Sequence, residues 1–382
     1  MRFPPHGGTA LAAVLALVPI LAAPALAGVT NPDVSVIGQP FMRWTDAAAD
    51  PGRKRWRLEP GEVEFMFDAA LNPYAHGTFI ASMADGQAGI EEAYFAMTRG
   101  LPFALALKGG QYRVGFGRMN PTHPHAYPFS DRFHVLAEYL PGDESFNETG
   151  LQLSEQVALP HDIAFTVSGD WLQGDSFRRT RLSSGAANDP LESGGDDRTG
   201  EPRAAGIGRA SAFVPVGERS GVELGFSATG GTNNVAAGTR TTVLGGDAKA
   251  KLWRSANSYL LVQGEYLALD REDAAWDSTA AAYASARTRP SGGYLYADWN
   301  FSPRTDAGLG YERFRAAGPV GQWNTGLRAF AGLALMEETT SFRIDVERLI
   351  PGAPTGAPAP DPIHTVTIRV VYSMGPHKAH QF

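Results

Sequence analysis

The feature that most constrains this chain is a two-residue alternation of apolar and polar side chains, returning in stretches of about ten residues along its length. In the last stretch Val366, Ile368, Val370 and Tyr372 share one face, while Thr365, Thr367, Arg369 and Ser373 share the other. Val63, Phe65 and Phe67 oppose Glu62, Glu64 and Asp68 in the same way. Leu151, Leu153, Val157 and Leu159 oppose Gln152, Ser154 and Gln156, and Phe342, Ile344 and Val346 oppose Arg343, Asp345 and Glu347. Helical periodicity is nearly missing, so the expected class is all-β.

The connections between these stretches alternate between short and long. Short ones fall at 72–74, 100–102, 160–162, 216–220, 254–257, 302–304 and 336–338. Long ones fall at 45–60, 118–148, 173–203, 230–239, 270–289, 315–322 and 350–362, with the brief 84–89 in the same set. With a first strand near 34–41, this makes about sixteen strands, with both ends of the chain on the short-turn side. An even strand count, short turns at one end, long loops at the other and strands of ~9–11 residues describe an antiparallel transmembrane β-barrel. A bilayer enforces closure, because an open sheet edge leaves backbone groups unpaired in hydrocarbon. A soluble β-sandwich predicts neither the rhythm nor apolar faces turned away from a dry core. One break stands out: Phe103, Leu105 and Leu107 have the opposite parity to Tyr112, Val114 and Phe116. Gly109-Gly110 lies between them, and a bulge there is expected to shift the register and keep one apolar face.

The start of the chain reads as an export signal. Arg2 is followed by an apolar run from Leu11 to Leu21 and by Ala25-Leu26-Ala27, a small-x-small cleavage pattern. The expected organisation is a signal peptide over 1–27 and a single barrel domain over 28–382. Beyond residue 27 nothing approaches the ~20 apolar residues of a spanning helix. The absence of cysteine excludes a disulfide scaffold, thiol chemistry and thiolate-bound metal. A formal net charge of −7 argues against nucleic acid as a partner. No histidine is followed two residues later by serine, Gly206-Ile-Gly208 lacks the third glycine of a nucleotide loop, and there is no P-loop. No enzymatic activity and no cofactor are expected.

Four segments carry a resemblance. They are Asn31 to Gly38 (NPDVSVIG), Glu92-Ala93-Tyr94, Gly117 to Arg132 (GRMNPTHPHAYPFSDR) and Gly375 to Phe382 (GPHKAHQF). Together they resemble a poorly characterised, porin-like family of outer-membrane barrels of Gram-negative bacteria. The resemblance implies a porin-type barrel in outer-membrane lipid, inserted by the barrel-assembly machinery, and it brings no established substrate. The terminal Phe382 suits the aromatic end such barrels present for assembly. Lys378 and His380 stand where apolar residues are expected, so the recognition strand is placed at 363–373.

A barrel of about sixteen strands is wide enough for an aqueous channel. Parity places Glu62, Glu64, Asp68, Glu92, Asp170, Glu223, Asp247, Lys249, Lys251, Glu265, Asp298, Arg343, Asp345, Glu347 and Arg369 on the lumen face. The loop 118–148 is long for a connection without structure of its own, and such loops are usually functional. Folded inward, it brings Arg118, Asp131, Arg132, Glu138, Asp143 and Glu144 to a constriction; otherwise it caps the outer rim. The aromatics Tyr74, Tyr94, Tyr112, Trp171, Trp253, Tyr259, Tyr294, Tyr296, Trp299, Phe301, Trp323 and Tyr372 are expected near strand ends, as interfacial girdles. His123, His125 and His134 form a weak metal trio, since Pro124 separates the first two and no spacing fixes the third. The function expected is passive diffusion of small hydrophilic solutes or ions, with a mild preference for cations. The alternative is a loop-closed barrel acting as a receptor or metal-binding surface protein. No interface for a homo-oligomer is legible.

Overall fold

The computed structural model describes residues 32–382 apart from 85, 143–144, 180–200, 278, 319–320, 337–338, 355 and 376–382. The expected leader, Asp143, Glu144, His377, His380 and Phe382 therefore lie outside the described residues. The strand segments are β1 (Asp33–Gly38), β2 (Phe41–Thr45), β3 (Arg57–Glu59), β4 (Val63–Asn72), β5 (Ala75–Ala84), β6 (Gln87–Met97) and β7 (Ala106–Arg113). After a long connection come β8 (Asn147–Leu159), β9 (Ile163–Leu172), β10 (Ala205–Val216), β11 (Ser220–Asn234), β12 (Thr239–Ser255) and β13 (Ser258–Asp277). The last six are β14 (Ala282–Thr288), β15 (Ser291–Ser302), β16 (Thr305–Arg315), β17 (Trp323–Met336), β18 (Thr340–Ile350) and β19 (Ile363–Met374).

These segments make sixteen barrel strands, because β1 with β2, β3 with β4, and β14 with β15 are each one strand interrupted once. The three interruptions fall at Pro40, Pro60 and Pro290. Proline has no N–H to give the ladder, so the pairing breaks there. Neighbouring groups bridge the gaps: Val370 donates to the Pro40 carbonyl at 2.9 Å, and Leu269 to that of Pro290 at 3.0 Å. The barrel closes where β19 pairs antiparallel with β1 (Val36 opposite Met374) and with β2 (Phe41 opposite Arg369). The fold is the expected all-β, antiparallel barrel.

Phe67, Phe79, Leu151, Leu153, Phe226, Leu244, Leu295, Leu309, Ile344 and Val346 point outward and are exposed. An apolar belt of that extent exceeds the few hundred Å² a water-facing surface tolerates, and it matches a hydrocarbon slab. The buried apolar cluster lies inside the barrel instead. It joins Phe116, Met119, Phe129, Phe133, Leu136 and Phe146 of the connection 114–146 to wall residues such as Leu267, Tyr294, Tyr296 and Phe330.

Three expectations need correction. The stretches 230–239 and 270–289 are mostly strand rather than loop: β11 and β12 are joined by only 235–238, and β13 runs for 20 residues and pairs with β14. At ~3.3 Å per residue a strand of that length far exceeds the ~30 Å hydrocarbon core. Beyond the membrane a strand needs no apolar outer face, so the alternation fades while the ladder continues. Gly109-Gly110 holds no bulge, since β7 pairs with β8 without interruption from Ala106 opposite Ser154 to Arg113 opposite Asn147. The change of parity is real: Tyr112, Val114 and Phe116 are buried within the lumen. The bulge lies between β5 and β6, where Ile80 opposes Glu92 and Ala81 opposes Ile90, leaving Glu91 as the extra residue. Finally, the aromatic set is divided, with Tyr74, Trp171, Trp299, Phe301 and Trp323 outward, but Tyr112, Tyr294 and Tyr296 buried against the inner cluster.

Ile344 sits mid-strand on the outer face, opposite Ile368. Ile344→Arg should destabilise the barrel by about 2–4 kcal/mol if that face meets lipid. Urea unfolding in vesicles measures it, and a neutral result would contradict the assignment of that face.

Candidate functional site

The connection 114–146 turns inward from the end of β7 and fills much of the lumen. Gly117 makes the turn with φ +61, and a Cβ there would collide with the Glu265 carboxylate. Glu265 (β13) accepts the backbone N–H groups of Arg118 at 2.9 Å and Met119 at 2.7 Å, and the Tyr294 hydroxyl at 2.6 Å. Asn120 ties the two ends of the loop together, donating to the carbonyls of Val114 and Phe146 and accepting from Phe146 N–H. Two short turns follow, Pro124–Ala126 and the helix α1 (His134–Tyr139).

A loop inside a barrel must find partners for its backbone, and the wall supplies them. The Arg369 guanidinium donates to the carbonyls of Pro124, Tyr127 and Phe129 and to Gln39 Oε1, all within 2.9–3.0 Å. Arg343 reaches the Pro128 carbonyl at 3.2 Å, and Arg328 reaches that of Asp131. Asp345 accepts Ser130 N–H at 3.3 Å, and Glu312 accepts Val135 N–H at 3.1 Å. Phe129 and Phe133 complete the seal, with Phe133 stacked on Tyr294 at 4.3 Å between ring centroids.

The sequence-derived candidates divide accordingly. Glu138 accepts Ala317 N–H at 2.6 Å and belongs to the loop's fastening, as do Asp345 and Arg369. Asp247 forms a two-pronged pair with Arg209 at 2.6 and 3.0 Å. Arg118 pairs with Glu223, and Arg343 lies 3.3 Å from Asp306. Asp131 meets Arg43 at 2.6 Å. Glu138, Asp247 and Asp345 line neither of the two cavities described next.

The loop leaves a cavity on each side. The larger, about 730 Å³, lies toward the short turns and is lined by Glu64, Glu92, Lys108, Arg118, Lys249, Lys251, Asp298 and Arg343 among others. The smaller, about 410 Å³, lies toward the long loops and is lined by Arg43, Glu62, Glu91, Asp131, Arg132 and Arg369 among others. Arg113 and Tyr127 line both, and the region they occupy between the two cavities is the neck. Four carboxylates gather there because the bulge in β6 turns Glu91 and Glu92 inward together, near Glu62 and Glu64 at the start of β4, the next strand but one.

His123 stands among these acids. Its Nδ1 is 3.2 Å from Glu64 Oε2 and 3.3 Å from Glu91 Oε2, and its Nε2 is 3.9 Å from Glu92 Oε2. Burial pulls its basicity down, but Glu64, Glu91 and Glu92 outweigh burial and hold the ring well above the usual imidazole range. His125 Nδ1 lies 3.4 Å from the same Glu64 oxygen, with its ring stacked on His123 at 5.7 Å. Arg113 Nη2 closes on Glu91 at 2.8 Å. His134 is elsewhere, so the trio of histidines does not form. Its Nδ1 lies 2.6 Å from Glu312 and 3.4 Å from Glu347. Arg328, Arg209, Glu312 and Glu91 were absent from the sequence-derived lumen set. The first three follow the inward parity of β17, β10 and β16, whereas Glu91 is turned inward only by a bulge that its own alternation does not signal.

The sixteen-stranded antiparallel barrel is similar in fold to solved outer-membrane porins. The channel DcaP of Acinetobacter baumannii superposes with a TM-score of 0.57 at 9% identity, covering 90% of this chain and 97% of that one. An anion-selective porin from Comamonas acidovorans gives 0.56 at 10% identity, over 90% and 100%. OmpT, an outer-membrane protein of Vibrio cholerae, gives 0.53 at 8% identity, over 90% and 97%. In sequence, the chain is 28% identical over 261 residues to an uncharacterized protein of Aquifex aeolicus, a match spanning 65% of this chain. That match spans 53% of the relative, so the chain accounts for about half its length. No protein-family model matches the chain.

Two outcomes test the fastening of the loop. Glu265→Ala leaves two buried N–H groups without an acceptor, at about 1–3 kcal/mol each, so trypsin should cut the loop at Arg118 or Arg132 while the barrel stays intact. Unchanged resistance would show that the loop is held by other means. The second concerns pH. Burial lowers the basicity of His134, but Glu312 raises it more, leaving it above the ordinary value. A raised folded-state pKa stabilises below the unfolded value of ~6.5, and that contribution fades as pH rises through the folded value. Proteolysis within 134–139 should therefore quicken on the alkaline side in the native protein but show no such step in His134→Phe.

Proposed function

We propose that the protein is an outer-membrane channel of a Gram-negative bacterium for passive diffusion of small hydrophilic solutes or ions, with no catalysed chemistry. The observation that carries this reading is the pair of charged cavities on either side of the neck, left beside the folded loop. Lys108, Arg118, Arg209, Lys249 and Lys251 stand on β7, the loop, β10 and β12, while Glu64 and Glu92 face the same cavity from β4 and β6. Opposite charges across a wet passage set up a transverse field that filters by charge and dipole. At the neck the acids outnumber the bases, and this favours small cations. The similarity to solved channels supports the reading at the level of fold. An assembly of identical copies fits it as well, since one neighbour, OmpT of Vibrio cholerae, has a trimer form.

Planar-bilayer recording of the refolded chain tests the proposal. Stable current steps should appear, with a reversal potential of cation-selective sign in a salt gradient. Silence from folded, heat-modifiable protein would favour the loop-closed barrel instead. Deleting 122–140 should raise single-channel conductance several-fold, and unchanged conductance would separate the loop from the conducting path.

A further inference from the structure

The neck also gathers side chains of the metal-ligand type around Glu64. The Glu64 side chain is 1% exposed, and its Oε2 accepts no hydrogen bond of good geometry. What faces that oxygen is a pair of imidazole nitrogens, His123 Nδ1 at 3.2 Å and His125 Nδ1 at 3.4 Å. The ligand atoms of Glu64, His123 and His125 all lie within 4.8 Å of one another. A tetrahedron with metal–ligand bonds of ~2.0–2.1 Å has edges of ~3.4 Å, so two of the three edges are already near that length. Glu91 Oε2 adjoins the three, 3.3 Å from His123 Nδ1, and is held by Arg113 at 2.8 Å.

The two rings are also fixed before any ion arrives. They flank Pro124 on a single turn, whose first carbonyl accepts Tyr127 N–H at 3.2 Å and the Arg369 guanidinium at 3.0 Å. Two imidazoles with one or two carboxylates suit a borderline divalent ion such as zinc, nickel or cobalt, whereas calcium and magnesium prefer oxygen alone. Imidazole ligates a metal in its neutral form, so binding such an ion releases any proton the rings carry.

We propose that Glu64, His123 and His125, with Glu91 adjoining, form a binding site for one borderline divalent transition-metal ion at the neck of the lumen, and that occupancy narrows the passage. The binding half stands on the ligand geometry alone; the narrowing half rests on the channel reading above.

Calorimetry of the refolded full chain with zinc chloride reads the binding half. About one equivalent should bind. His125→Ala and Glu64→Gln should each weaken zinc by at least about tenfold. His161→Ala, in the turn between β8 and β9, and His134→Ala should leave it unchanged. Heat-modifiable mobility certifies each variant, and His125→Asn replaces any that fails to fold. Absence of zinc and nickel binding to the folded native chain overturns the site, as does equal affinity in His125→Ala. In bilayers, zinc should lower native conductance reversibly on chelation and leave His125→Ala unaffected. Steady, zinc-insensitive steps with no calorimetric binding overturn the metal site and leave the channel standing. Binding that His125→Ala abolishes, in a barrel that never conducts, upholds the site and removes the channel.

Discussion

A backbone N–H or carbonyl turned toward hydrocarbon has no water to bond, and this single constraint organises the protein. It closes the sheet, which with every pairing antiparallel requires an even number of strands, and it permits interruptions only where another group takes over the lost bond. The three prolines that interrupt barrel strands show how narrow that permission is. At Pro40 and Pro290 the carbonyl still accepts from the neighbouring strand, so only the donor side of the ladder is lost.

Closure then inverts the usual arrangement of a globular protein. The outer face carries apolar side chains that need no partner, and the lumen receives everything that does. A loop placed there brings both unpaired backbone and apolar bulk. Each is answered separately, the backbone by Glu265, Glu312, Arg343 and Arg369, and the bulk by Tyr294, Tyr296 and Phe330. Ionised side chains are costly to bury alone, and Asp247, Asp345, Glu265 and Arg369 each hold an opposite charge or a peptide group. Charged residues facing the lumen are therefore of two kinds, those that fasten the loop and those left to face the passage.

The barrel was legible in the sequence because lipid demands a strict alternation wherever a strand crosses it. Where that demand ends, so does legibility. β13 beyond Leu269 reads as a loop, although its ladder continues to Asp277. The sorting of lumen charges into two kinds was not legible either, because parity tells which face a residue takes and nothing about what the loop brings to it. Asp345 and Lys249 are alike in sequence terms, yet one receives Ser130 N–H and the other lines the larger cavity. Tyr112 shows the opposite error. Its parity suggested a slipped register, but the register is unbroken and the ring is buried because the loop covers it.

The bulge in β6 ties these strands of argument together. Regular alternation would turn Glu91 outward, and a carboxylate on the lipid side near the membrane is unfavourable. One extra residue turns it inward next to Glu92, so two successive acids reach the same point of the lumen. That concentration would be unstable if left alone, since like charges held close repel. Arg113 and His123 answer it from two directions, the first at 2.8 Å from Glu91 and the second among three of the acids. The neck is thus a place where negative charge is gathered by a backbone irregularity and balanced by Arg113 at the end of β7 and His123 on the loop. An ion entering the neck must compete for those carboxylates with the charges already there.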